Sequence, residues 1–470
     1  MTFNFQATAA VILAASSLAG SARAGEPRPN VVLIITDDQN DYFAGVDGLR
    51  VETPAFDRLK AEAINFTHAY CAAPVCGPSR AALFSGVSPH KTGVYFNGAD
   101  PWFVSTRLRA CDPLPQVFRQ SGYETWGMGK LFHAKLPDER AKLQWDNTAR
   151  SGGGFGPFAD PEHRFSGKFF SVQEWDGPDE DFPDTRNAEA AVSFLESRSA
   201  DDPFFLVYGL WRPHNPWTAP RRFFDLYEPE AIRFPPSGYA SDDLDDVPPD
   251  GRRLADIYRS RWKNFGDGNP EAWRRILHGY LACTSFADWN VGRVLDALDR
   301  TGHADDTLVI VTSDNGYHVG EKHHYGKSTL WEKSANVPLL VRLPGKTHAG
   351  RVSEAAVSLL DVFPTLISQC GLTTPAQSLD GSDLSELLLD PARPWEKPAI
   401  TTYGEGHFSM KSGPWRYISY PDGSEELYDH RADPHEFTNV AAEPEHAELL
   451  VRFRQAVPSV WAESCGGRAG

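Results

Sequence analysis

At 470 residues the chain has room for one large α/β domain with a smaller companion, and for a sizeable core. Its 63 acidic against 46 basic residues give a net charge of -17, which argues against general nucleic-acid binding and against attraction to an anionic membrane surface. An anionic substrate would therefore need a locally basic pocket.

Residues 1–24 read as a secretory leader, with an apolar segment Ala9-Ala10-Val11-Ile12-Leu13-Ala14-Ala15 and a small-residue cleavage site Ala22-Arg23-Ala24, although no Lys or Arg precedes the apolar part. The expectation is export to a periplasmic or extracellular location. No later apolar run approaches the ~20 residues needed to span a bilayer, and no cysteine stands at the cleavage point, so no membrane anchor is expected.

Asn30-Val31-Val32-Leu33-Ile34-Ile35 is a continuous β-branched and aliphatic run, the pattern of a strand buried on both faces, and it ends in Thr36-Asp37-Asp38-Gln39. Two adjacent carboxylates at a buried strand end repel each other, so something positive is expected to hold them; standing alone, they could equally be a solvated turn. In Cys76-Gly77-Pro78-Ser79-Arg80-Ala81-Ala82-Leu83-Phe84-Ser85-Gly86, a proline at a first-turn position and an Ala-Ala-Leu run predict a helix beginning at Cys76. Free amides and the positive dipole end there favour an anion and a lowered thiol pKa.

Further strand-like runs finish in cationic or imidazole groups. Tyr123 to Met128 leads into Gly129-Lys130-Leu131-Phe132-His133, and Phe204 to Leu210 leads into Trp211-Arg212-Pro213-His214. Apolar spacing from Tyr280 to Leu298 predicts an amphipathic helix, followed by a strand Leu308 to Ser313 ending in Asp314-Asn315-Gly316 and then by Lys327. Together the two acidic strand ends offer Asp37, Asp38, Asp314 and Asn315, close to a full oxygen set for one calcium or magnesium ion at the carboxyl edge of a sheet.

Two stretches read as long loops, Ala149 to Asp184 and Pro229 to Gly251; the acidic run Ser241 to Asp246 in the second reads as a solvated turn. A strand Val337 to Leu343 and a helix Leu360 to Cys370 close the large domain. Short strands at Ile400–Tyr403, Trp415–Tyr420 and Glu426–Tyr428, with a helix near Pro444 to Ala456, suggest a small antiparallel subdomain. The expected division is 1–24 leader, 25–375 catalytic domain and 376–470 C-terminal subdomain. Six cysteines, Cys71, Cys76, Cys111, Cys283, Cys370 and Cys465, show no metal-type spacing, and no disulfide pairing can be assigned.

Cys-x-Pro-Ser-Arg followed by Ala-Ala-Leu-Phe-Ser-Gly resembles the signature of the type I sulfatases. Lys130-x-x-His133, Trp211 to Pro216, Glu426-Leu427-Tyr428-Asp429, Asp433-Pro434 and Asn439 are similar to the iduronate-2-sulfatase-like branch, from which Asn315 departs, since histidine stands there in the human-type enzyme. The resemblance implies an alkaline-phosphatase-like α/β fold, a large mixed or parallel sheet flanked by helices, with a C-terminal subdomain on an antiparallel sheet.

It further implies that a formylglycine-generating enzyme oxidises Cys76, that Asp37, Asp38, Asp314, Asn315 and residue 76 hold one calcium ion, and that the substrate is a sulfated saccharide. Arg80 would steady residue 76, Lys130 and Lys327 bind sulfate, His133 take a proton, and His214 contact the sulfate or leaving oxygen. The alternatives are an arylsulfatase, a choline sulfatase, a phosphonate or phosphate-ester hydrolase, and a non-enzymatic sulfated-glycan-binding protein. Trp102, Trp211, Trp217, His318, His323, His324, Trp415 and Arg416 are the candidates for a sugar subsite.

Overall fold

The β-branched run near the start of the chain becomes an inner strand of an eight-stranded sheet. The computed structural model describes residues 28–44, 50–148, 153–198, 202–235, 242–343 and 349–467, so the expected leader lies outside the described residues. The sheet comprises β1 (Asn30–Asp37), β2 (Ile64–Phe66), β3 (Glu124–Gly129), β4 (Asn147–Thr148), β5 (Phe204–Pro213), β6 (Thr307–Ser313), β7 (Leu339–Arg342) and β8 (Arg351–Ser353), in the spatial order β8-β2-β7-β6-β1-β5-β3-β4. Strand β1 pairs in parallel with β6 and β5, and β3 pairs in parallel with β5 and β4. Strand β7 runs against both its neighbours. The carboxyl ends of β3, β5, β1 and β6 therefore lie side by side along one edge, where open α/β sheets bind their ligands.

Both sheet faces are covered, as the unbroken apolar runs require. Val31, Leu33 and Ile35 point into one apolar cluster with Ala81, Leu83 and Phe84 of helix α1 (Cys76–Ser85). Val32 and Ile34 point the other way, against Ala188, Ala191 and Leu195 of α2 (Pro183–Ser197) and Val291, Val294 and Leu298 of α3 (Pro270–Thr301). Helix α3 begins ten residues before the predicted start. Trp273, Ile276 and Leu277 continue its buried stripe, Pro270 occupies the first turn, and the Asn269 side chain accepts from the Ala272 amide. Helix α4 (Val362–Cys370) packs on the α1 side.

Three expectations need correction. The run Val337 to Leu343 is two strands, because Pro338 has no N–H for a ladder: Asn336–Val337 pairs with Ala69–Tyr70, and β7 joins the main sheet. The first long loop contains strands Arg164–Ser166 and Phe170–Trp175, whose buried Phe170 and Val172 pack against Trp217. In the acidic run, Asp243 is buried and accepts from Lys322 Nζ at 2.7 Å instead of facing solvent.

The C-terminal part is an antiparallel meander of β9 (Ala399–Thr402), β10 (Phe408–Ser412), β11 (Trp415–Ser419) and β12 (Glu425–Asp429). Helix α5 (Ala447–Arg454) covers it through Leu450 and Phe453. Strand β10 had no counterpart in the sequence reading. None of the six cysteines forms a disulfide.

Candidate active site

Four strand ends and one helix start build the site. Asp37 is the last residue of β1, and Asp38 follows it with a left-handed φ of 62°, a conformation that non-glycine residues adopt at some energetic expense and that concentrates at functional sites. Lys130 follows β3. Gly129 has φ 76°, and a Cβ on Gly209 would lie 1.8 Å from the Lys130 carbonyl, so this pair of glycines is what lets β3 and β5 close around the turn that presents the lysine. His214 follows β5, while Asp314 and Asn315 follow β6. Cys76 opens α1 as expected, with Val75 as its extended cap residue.

These residues converge. One oxygen each of Asp37 and Asp38, the Cys76 sulfur and a His214 ring nitrogen all lie within 4.8 Å of one another. Cys76 Sγ is 3.3 Å from Asp37 Oδ1 and 2.8 Å from Lys327 Nζ. Lys130 pairs with Asp37, and Lys327 pairs with Asp38. His214 Nε2 is 3.5 Å from Asp38 Oδ2, and its Nδ1 faces the Asn215 carbonyl and so carries the proton. Arg80 donates from Nε to Asp314 Oδ2 at 2.7 Å, and also to the carbonyls of Lys130 and Thr36.

Asp314 is set further back than a simple ligand count suggests. Its Oδ1 accepts from the amides of Asp38 at 3.2 Å and Asn315 at 2.9 Å, and Arg80 takes its other oxygen. Asn315 donates from Nδ2 to Asp38 Oδ1 at 2.7 Å.

The donor set fits a hard cation. Buried Asp38 Oδ2 and Asn315 Oδ1 have no hydrogen-bond donor, which is the state of an oxygen that a cation can satisfy.

Burial and charge set the protonation states. Burial raises the pKa of Asp37, but Lys130, with Lys327 adding to it, outweighs it and holds the carboxyl below its ordinary value. Burial lowers Lys130 and Lys327, yet Asp37 and Asp38 respectively keep both lysines charged. Desolvation by the surrounding cleft wall, with Lys130 and Lys327, brings His133 down to about 4 although the residue itself is exposed, and burial lowers His214. Both imidazoles are thus neutral near pH 7. The expected lowering of the Cys76 thiol is reversed: burial and Asp37 push it up, overriding the helix terminus. The unmodified side chain is a poor thiolate.

His133 stands against the start of α1, where a Cβ on Gly77 would come within 3.4 Å of its own Cβ. Phe155 was missed, for no periodicity or motif singles out one aromatic in a glycine-rich stretch. Its ring lies 4.5 Å from the His214 ring centroid and 5.2 Å below Lys130 Nζ, and its carbonyl accepts from Arg212 at 3.1 Å.

Most proposed sugar contacts are structural. Trp102 and Trp217 are core residues, and His318 and His324 are buried and hydrogen-bonded within the protein. His323 stacks on Trp262, Arg416 is buried in ion pairs with Glu332 and Glu436, and the Trp415 ring packs edge-on against His446. Trp211 alone of that group lines a cleft beside Lys130 and His133, with a volume of about 630 Å³.

A family profile described as Sulfatase matches residues 29–372, well over half of the chain. The chain belongs to the sulfatase family. It is a sulfuric ester hydrolase, which sets aside the non-enzymatic reading. A second profile, described as N-sulphoglucosamine sulphohydrolase, C-terminal, matches residues 320–462. A sulfatase of Formosa agariphila is 36% identical over 441 residues, a match covering 88% of this chain and 83% of that protein. The iduronate 2-sulfatase of Mus musculus is 29% identical over 392 residues, covering 74% of this chain and 69% of that one. Among solved structures, the phosphonate monoester hydrolase of Agrobacterium radiobacter superposes with a TM-score of 0.72 at 23% identity, over 91% of this chain and 94% of the other, which shows a shared fold. The implied architecture, an alkaline-phosphatase-like mixed sheet between helices with a C-terminal antiparallel sheet, is the one found.

Proposed function

We propose that this sulfatase hydrolyses the sulfate ester of a sugar, a 2-O-sulfated uronic acid or a related polysaccharide unit, using formylglycine made from Cys76 and one calcium ion. The observation that carries the reading is the meeting of residue 76 with two buried carboxylates, a neutral imidazole and two charged lysines at one sheet edge. The printed activity of the Mus musculus relative supports the sugar and its position.

Asp37, Asp38, Asp314, Asn315 and residue 76 would hold the ion. When formed, the modified side chain supplies a nucleophilic hydroxyl and the ion supplies positive charge beside it. Lys130 and Lys327 bind the sulfate oxygens, where two fixed cations stabilise charge shifting in the transition state. His133, neutral and free of hydrogen bonds among the described residues, accepts a proton from residue 76. His214, oriented through Nδ1, presents Nε2 to the leaving oxygen and can protonate it once Nε2 has itself taken up a proton from solvent. Arg80 ties Asp314 to the Lys130 backbone and so keeps the acidic and basic halves in register. Phe155 shields the lysine–carboxylate pairs from water, which strengthens every interaction behind it.

Export by the leader would place the enzyme outside the cytoplasm, with a formylglycine-generating enzyme as its maturation partner. The test is sulfate release from sulfated uronic acids, hexoses and aryl esters, with matched phosphate esters, using protein coexpressed with that enzyme and a Cys76→Ala control. Sulfate from a uronate, absent in the control, is the expected result. Phosphate release alone would move the chain to phosphoryl chemistry.

A further inference from the structure

The cleft of about 630 Å³ beside the reaction centre is within the usual range for a small-ligand site. It is lined by Trp211 and Phe155 and by the stretch that carries Lys130, His133 and Lys135. The aromatic pair is fixed from behind. The amides of Trp211 and Arg212 donate to Asp184 at 2.8 and 3.1 Å, and Arg212 holds the Phe155 carbonyl at 3.1 Å. Aromatic walls of this kind suit the apolar face of one sugar ring.

Lys135 is the unusual member of the lining. It is exposed, and among the described residues it has no ion pair, hydrogen bond or ring contact. The other lysine of the cleft, Lys130, is already committed to Asp37. Asp138, also on the lining, makes no ion pair with Lys135. In a chain of net charge -17, a cation left unpaired in the cleft next to the reaction centre is a recognition element for an anion.

We infer that Lys135 binds the carboxylate of the uronate, making this cleft a hexuronate subsite and Lys135 a specificity-determining residue. The inference rests on the reading of the chain as a sugar sulfatase. Chemistry sets the geometry: C2, which carries the sulfate, and C5, which carries the carboxylate, are opposite corners of a pyranose ring. A sulfate held by Lys130 therefore sends the carboxylate across the ring and away from the buried centre. Lys135 is two residues beyond His133, and so no more than about 7 Å further along the chain.

The experiment measures kcat/KM of the matured enzyme for a 2-O-sulfated uronate, its methyl ester and a neutral 2-O-sulfated hexose. The wild type should prefer the acid to its ester. Lys135→Gln should shrink that acid-to-ester ratio about three- to tenfold, the range of one charge-assisted contact at a partly wet site, mainly through KM. Lys135→Arg should keep the ratio, and so should Lys142→Gln, which removes a charge outside the cleft. An unchanged ratio in Lys135→Gln, or turnover of the hexose but not the uronate, overturns the inference and leaves a sulfatase. No sulfate from any ester overturns the sugar-sulfatase reading, and this inference falls with it.

Discussion

At the residue scale, the proton transfer proposed for this site depends on groups whose charges are set by their neighbours. His133, exposed at the cleft, should titrate at about 4 instead of 6.5 because the desolvating cleft wall and two lysines disfavour its protonated form. In the proposed mechanism the neutral ring accepts the proton and exists above the depressed pKa, so kcat should rise with pH through an acid limb near 4. Lys130→Gln removes one of the opposing cations and leaves Asp37 without its partner, and both changes should move the limb upward. A pH–rate profile of the two proteins checks this, and an unmoved limb would detach His133 from the proton transfer. The same scale shows which residues of the cluster were legible in the sequence. Asp37, Asp38, Lys130, His214, Asp314 and Asn315 were all visible because each stands just past an apolar run, and a parallel sheet gathers such positions at one edge. Phe155 and Lys135 follow no such run, and only the folded chain brings them to the cleft.

At the element scale, the segment carrying Lys327 is held by distant parts of the chain. Lys322 and Ser328 both have left-handed φ, 53° and 73°, so the segment needs external support. Lys322 Nζ donates to Asp243 and to the Glu436 carbonyl, and the Glu332 amide donates to Glu436 Oε2 at 2.9 Å. Arg416, from β11, pairs with both Glu332 and Glu436. Arg416→Leu strands two carboxylates without their buried counter-charge, and a loss of about 3–5 kcal/mol is expected in urea titration. Turnover should fall as well, at temperatures where the variant remains folded, because Lys327 loses its anchorage. Full activity would show that the segment holds its shape unaided. None of these pairings could be read from local sequence: Lys322 and Asp243 are 79 positions apart, and Asp243 sits in a run of acids that otherwise looks like a surface turn. Strand β10 escaped notice because only Phe408 and Met410 mark its buried face, too few positions to establish a period.

At the scale of the whole molecule, stability rests on apolar layers and not on covalent links. Six cysteines with no disulfide among them predict superimposable thermal melts with and without a reductant, even for protein prepared from an oxidising compartment. A melting temperature that drops on reduction would reveal a bond formed by rearrangement. The layers themselves were well marked in the sequence, since strands buried on both faces need continuous apolar runs and β1, β5 and β6 have them. The arrangement of layers around residue 76 also imposes an order of events. Cys76 is 1% exposed, roofed by charged pairs and backed by α1 and the sheet. A second protein could not grip the backbone around it once these layers close. If residue 76 is oxidised as proposed, the modifying enzyme must therefore meet an open chain, in the interval between synthesis and folding.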